Sequence, residues 1–95
     1  MVNIDVNKLT FAKDFAIKKE TAVVLEDKGR EIIMAFDGSM NGRQLYNIRG
    51  VYEQYGEWRP GKGISVPAER KHDFLKALKQ YVDAELAKME KQAAA

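Results

Sequence analysis

The chain has 95 residues, a formal net charge of +2 and 32% charged residues. That is the length of one small domain with little surplus stability as a monomer, and a charge too balanced to name a polyanion as partner. With no cysteine and a single histidine, it excludes a disulfide framework, a thiolate metal centre and a histidine-rich zinc site.

In chain order, residues 1–14 are weakly patterned: Val2, Ile4 and Val6 alternate with polar neighbours as a short extra strand would. The segment lacks the apolar core of a secretion signal, and no apolar run approaches the ~20 residues of a membrane span. The expectation is a soluble, intracellular protein. Phe15 to Glu26 is rich in β-branched and aromatic residues and ends in the turn signal Asp27-Lys28-Gly29, which predicts a first strand. Arg30 to Asp37 places Ile32, Met34 and Phe36 on one face at the two-residue period of a second strand.

Asn41-Gly42 suits the positive φ angles of a hairpin turn, within a loop from Gly38 to Gly42 that reads as longer than the minimum. Arg43 to Tyr55 is the third strand, with Gly50 marking a bulge or a close backbone approach. Gly56 to Gly63 reads as a loop and Ile64 to Val66 as a short fourth strand ended by Pro67. From Ala68 the period becomes helical, with Phe74, Leu75, Leu78, Tyr81, Val82, Leu86 and Met89 on one stripe, and residues 92–95 read as a frayed tail.

These elements predict an α+β fold, four antiparallel strands followed by one long C-terminal helix, over a domain of residues 15–91. A helix of about 20 residues spans ~30 Å, whereas a strand of about six covers ~20 Å. The helix overhangs its own sheet, and the stripe of Phe74, Leu78, Tyr81, Val82, Leu86 and Met89 predicts a homodimer interface with two-fold symmetry.

Functional chemistry concentrates in Tyr52 to Pro67. Taken singly, Tyr46, Tyr52, Tyr55 and Trp58 are packing residues of strands. As a group, Tyr52, Tyr55 and Trp58 stand with Arg49, Arg59 and Lys62 in a glycine-bearing segment, which supplies rings to stack bases and cations to neutralise phosphate. Lys18, Lys19 and Arg43 are candidates to extend that surface, and Phe36, although it shares the core face of Ile32 and Met34, is a further candidate ring. Strand parity sets Arg49 and Tyr52 on opposite faces unless Gly50 carries a bulge.

Gly56 to Lys62 approaches the phosphate-loop pattern but fails it. Gly63 stands where a magnesium-holding Ser or Thr is needed, and a strand follows where a helix N-terminus should cradle the phosphates. His72 has no sequence-paired nucleophile, and Asp27, Asp37, Glu53 and Glu57 occupy turns and strand ends, so no catalytic residue, metal ligand or cofactor site is assigned.

The order of features, with the Ile48-Arg49 step, the run Arg59-Pro-Gly-Lys-Gly-Ile-Ser65 and a single C-terminal helix, resembles the single-stranded-DNA-binding C-terminal domain of the positive cofactor four family of transcriptional coactivators, in a bacterial or phage form. The resemblance covers about Phe15 to Lys88. It implies a strongly curved four-stranded antiparallel sheet and a homodimer whose channels bind unpaired DNA, including the strands of melted duplex, with little sequence preference. It also implies that Arg49 contacts the DNA backbone, that Tyr52 stands where a tryptophan often follows that arginine, that Lys62 is the loop lysine, and that Phe36 approximates an aromatic of the preceding strand. The expected setting is transcription, replication or repair, with the transcription or replication machinery as further partners. The expected compartment is bacterial cytoplasm or nucleoid, or host cytoplasm for a phage protein. A protein-interaction module using the aromatic loop, or an RNA chaperone, are the alternatives that the residues leave open.

Overall fold

The computed structural model describes residues 4–94. Four strands, β1 (Val23–Asp27), β2 (Glu31–Met40), β3 (Arg43–Gln54) and β4 (Glu57–Pro67), form one antiparallel sheet in the order β1-β2-β3-β4, and the helix α1 (Lys71–Ala94) follows. The turns explain the simple up-and-down topology. Asn41 (φ 52°) and Gly42 (φ 79°) close a two-residue hairpin between Met40 and Arg43, and Tyr55 (φ 54°) and Gly56 (φ 78°) close another between Gln54 and Glu57. Positive φ at both central positions gives these turns the twist that paired strands need. At the β1–β2 turn, Gly29 (φ 91°) donates its N–H to Asp27 Oδ1 at 2.8 Å.

Several boundaries differ from those expected. The first strand begins at Val23, not Phe15, because Lys19–Thr21 winds into a 3-10 turn: the Thr21 hydroxyl donates to Lys18 O (2.7 Å) and accepts from the Asp37 N–H (2.9 Å). The β2–β3 loop is the minimal hairpin, which lets β2 run on to Met40. The stretch 56–63 is not a loop. It belongs to β4, an edge strand, where Pro60 faces no further ladder and its missing N–H costs nothing. After Pro67 a 3-10 turn, Ala68–Arg70, precedes α1.

The register also relocates the bulge. Along β2 and β3 pairing is continuous, with Met34 opposite Arg49, Ile32 opposite Val51 and Glu31 opposite Tyr52. Between β3 and β4 it shifts: Arg49 faces Gly63 and Val51 faces Pro60. The extra residue lies in β4, around Gly61 and Lys62, opposite Gly50.

One face of the sheet holds the core. Ile32, Met34, Phe36, Val51 and Trp58 are buried, and Ile4, Val6, Leu9, Phe11, Phe15 and Ile17 pack against them. This N-terminal segment crosses the sheet from β4 to β2. Trp58 donates its N–H to Thr10 O (2.8 Å) and accepts from the Ala12 N–H (3.0 Å), while Lys18 N–H donates to Asp37 O and Ser39 N–H to Ala16 O. Instead of the extra strand suggested by Ile4 and Val6, the segment contains a 3-10 turn at Val6–Lys8 and two isolated bridges, Phe11 to Trp58 and Ile17 to Gly38; Val2 lies outside the described residues. Gly38 makes the crossing possible, since a Cβ there would meet Ala16 O at 2.6 Å.

α1 is anchored at its start. Lys71 Nζ lies 3.0 Å from Asp37 Oδ1 and over the Tyr46 ring, and Phe74 packs against Tyr46 with ring centroids 6.2 Å apart. Phe74 and Leu78 are half-buried, whereas Tyr81, Val82, Leu86 and Met89 are exposed. At 1.5 Å per residue the helix is about 36 Å long. Its Lys79–Asp83 and Lys88–Glu85 pairs lie on solvated surface, where such pairs add little.

Phe36, 2% exposed, sits at the centre of the core and edge-on to Phe15. Phe36→Ala is expected to destabilise the fold by about 3–5 kcal/mol, read as a lower urea midpoint with an unchanged slope.

Candidate nucleic-acid interface

Arg49 sits on the core face of β3, yet its guanidinium reaches an opening rather than a carboxylate. Nη1 donates to Gly61 O (2.8 Å), Nη2 to Ser65 Oγ (2.6 Å) and Nε to Asn47 Oδ1 (3.3 Å). The Ser65 hydroxyl in turn donates to the same Asn47 oxygen at 2.6 Å. Asn47 is buried, at 7% exposure, so its oxygen is a fixed acceptor that orients both partners. A guanidinium carries five N–H donors; with three engaged, two remain for a ligand. Neutral acceptors hold the group without cancelling its charge, which suits an anion such as phosphate.

The glycines of β4 keep this group uncovered. A Cβ on Gly63 would overlap Cα and Cβ of Arg49 and the Ile48 carbonyl, so no other residue fits opposite Arg49 without moving a strand. A pocket of about 450 Å³ opens beside the guanidinium, between the N-terminal segment and the sheet. On the opposite face, a shallower groove of about 610 Å³ around Gly50 brings Tyr52 and Lys62 together, with Ile33 and Ile48 as its apolar floor.

The expected site residues therefore divide between surfaces. Arg49 lies on the core face with Met34, and Tyr52 lies on the other with Glu31 and Arg59, because the β2–β3 register is unbroken and the bulge belongs to β4. Lys62 and Lys18 are exposed and, among the described residues, form no ion pair. Arg43 pairs loosely with Glu69 (3.7 Å) and Arg59 with Glu57 (3.6 Å). Lys19 holds the N-terminal segment instead, donating to Leu9 O at 2.9 Å and lying over the Phe11 ring.

Two expected stacking rings are corrected. Trp58 (9% exposed) and Phe36 (2% exposed) are core residues and present no free ring face. Trp58 is drawn inward because β4 continues through it, which sets it on the face of Val51 and Ile32 and under the N-terminal segment. The exposed rings of the sheet are Tyr52, at 39%, and Tyr55, at 91%, on the β3–β4 hairpin. The part played by Asn47 and Ser65 was not anticipated. Their two-residue spacing from Arg49 and Gly63 within strands was the available signal.

The family model described as transcriptional coactivator p15 (PC4) matches residues 38–77, from the end of β2 through β3 and β4 into the first turns of α1. Residues 38–77 are thus similar to the PC4 family. This family is one of single-stranded-DNA-binding coactivators rather than of enzymes. The match contains Asn47, Arg49, the β4 bulge and Ser65, and the four-stranded sheet with its C-terminal helix is the architecture the PC4 resemblance implied. No curated protein and no solved structure matches the chain. Among the described residues no helix is long and apolar enough to cross a membrane, and no cluster of His, Cys, Asp or Glu could hold a metal ion.

Gly63→Ala tests the close approach. Because the overlap is with backbone and Cβ of Arg49, the substitution is expected to cost about 1–3 kcal/mol in urea unfolding.

Proposed function

We propose that the chain binds unpaired DNA with little sequence preference, as a homodimer, and serves transcription, replication or repair. The observation that carries this reading is the Arg49 guanidinium, oriented by Asn47, Ser65 and Gly61 O without a carboxylate partner, inside the PC4-matched segment. Arg49, Lys62 and Lys18 neutralise phosphates, with Arg43 and Arg59 as weaker contributors because each already has a carboxylate neighbour. Tyr52 and Tyr55 supply the stacking faces, in place of the buried Trp58 and Phe36.

Dimerisation is supported by the exposed stripe of Tyr81, Val82, Leu86 and Met89, which continues the half-buried Phe74 and Leu78 along α1. Exposed apolar side chains in a row on a helix gain most by pairing with a second copy, and a two-fold arrangement is the common closed solution. Two copies also place two Arg49 groups in one particle, which lengthens the strand that one particle can hold.

An anisotropy titration with an unpaired oligonucleotide, an equal-length duplex and the matching RNA checks the function. Binding is expected to be tightest for unpaired DNA and to weaken with salt, at about 0.7 in log–log slope per phosphate neutralised. Arg49→Ala removes charged hydrogen bonds of about 1.5–3 kcal/mol each, so affinity falls at least about tenfold. A folded sample that binds none of the three, or that binds them independently of salt, would overturn the proposal.

Sedimentation checks the assembly. The wild-type chain is expected to run as a dimer, and Leu86→Glu with Met89→Glu as a folded monomer; a wild-type monomer at micromolar concentration rejects the dimer.

A further inference from the structure

The pocket beside Arg49 has features that phosphate binding alone does not need. Its volume, about 450 Å³, lies within the ~300–1,000 Å³ of small-molecule sites, whereas a backbone phosphate requires only an open surface. It is lined by Arg49 and the buried Asn47 on one side, by Ser39 and Asn41 at the β2–β3 turn, and by Asp14 and Phe15 from the N-terminal segment. Phe15 is half-buried and meets Phe11 and Phe36 edge to face, with interplanar angles of 84° and 72°. Neither contact is a parallel stack.

We infer that this pocket is a nucleobase subsite, which takes one base of an unpaired strand while Arg49 holds the adjoining phosphate. The inference rests on the single-strand reading above and adds a specific place for a base. The pocket is lined by a cation on β3, Arg49, and by a carboxylate of the N-terminal segment, Asp14, and this difference sets the direction of the ligand. The phosphate is drawn to Arg49 and repelled by Asp14. The base then lies toward Phe15, where Ser39, Asn41 and the acceptor-only Asp14 carboxylate meet its polar edge.

The wall made by residues 14–16 is held firmly. Ser39 N–H donates to Ala16 O at 3.0 Å, and the absence of a side chain on Gly38 lets that carbonyl approach. This wall lies outside the PC4-matched span of residues 38–77, so that side of the subsite is supplied by this chain's own N-terminal segment.

The test compares a natural oligonucleotide with one of the same length in which every base is replaced by an abasic analogue. For the full-length wild-type chain, removing the bases is expected to weaken binding at least about tenfold, as the loss of base stacking does. Phe15→Leu, which keeps apolar volume but removes the ring, should reduce that preference several-fold and leave abasic binding unchanged. Equal weakening of both ligands, or no effect of Phe15→Leu, overturns the subsite while the phosphate-binding reading stands. If the wild type binds neither ligand, the single-strand reading fails as well. Should Phe15→Leu not fold, NMR titration of the wild type with a deoxynucleoside monophosphate decides. Amide shifts at Ser39, Asn41 and Gly61 support the subsite, and unmoved amides there reject it.

Discussion

The structure depends on the N-terminal segment lying across one face of the sheet. A four-stranded sheet with a single helix must bury at least one face to be stable, and here α1 meets the sheet through its first turns, with Lys71 at Asp37 and Phe74 against Tyr46, while its later apolar residues stay exposed. The burial comes instead from Ile4, Val6, Leu9, Phe11, Phe15 and Ile17, which seal Ile32, Met34, Phe36, Val51 and Trp58. Backbone hydrogen bonds to Trp58 on β4 and to Asp37 and Ser39 on β2, beyond the end of β1, hold the segment on both sides. Without it, Phe36 and Trp58 would be exposed rings on a bare sheet.

That arrangement also shapes the site. Because the segment covers part of the core face and leaves Arg49 at an opening, one surface combines a packed apolar interior with a free cation. The Asn47–Ser65–Arg49 network spans β3 and β4 across the pair where Gly63 has no side chain. Orientation and access thus follow from two adjacent features: a buried amide below the guanidinium and an empty position beside it. The opposite face, with Tyr52 and Lys62 near Gly50, offers a second, shallower surface. A strand of nucleic acid engaging both surfaces has to pass the edge of β4, where the bulge breaks the regular ladder.

Much of the fold was legible because local patterns and turn chemistry agreed. Ile32, Met34 and Phe36 at alternate positions, Asn41-Gly42 and Asp27-Lys28-Gly29 at the turns, and the 3.6-residue stripe from Phe74 onward each point to one conformation. Gly56 to Gly63 did not. Glycine and proline are loop residues by composition, but on an edge strand proline loses no ladder bond, and glycine is what the close approach to Arg49 demands. Phe15 to Glu26 failed for the opposite reason: its strand-forming residues are interrupted where the Thr21 hydroxyl captures backbone groups that a strand would have paired.

The sequence by itself determined the four strands and the helix, the candidate cations Arg49 and Lys62, and the motif Arg59 to Ser65 that lies within the PC4-matched span. These are readable because they depend on spacing and residue type along a short stretch. Only the tertiary structure decided which face each side chain occupies, that Trp58 and Phe36 belong to the core, and that residues 14–16 wall the pocket at Arg49. The physical reason is register. One extra residue in β4 rather than in β3 leaves Arg49 and Tyr52 on opposite faces, and a segment far away in sequence determines which face is sealed from water.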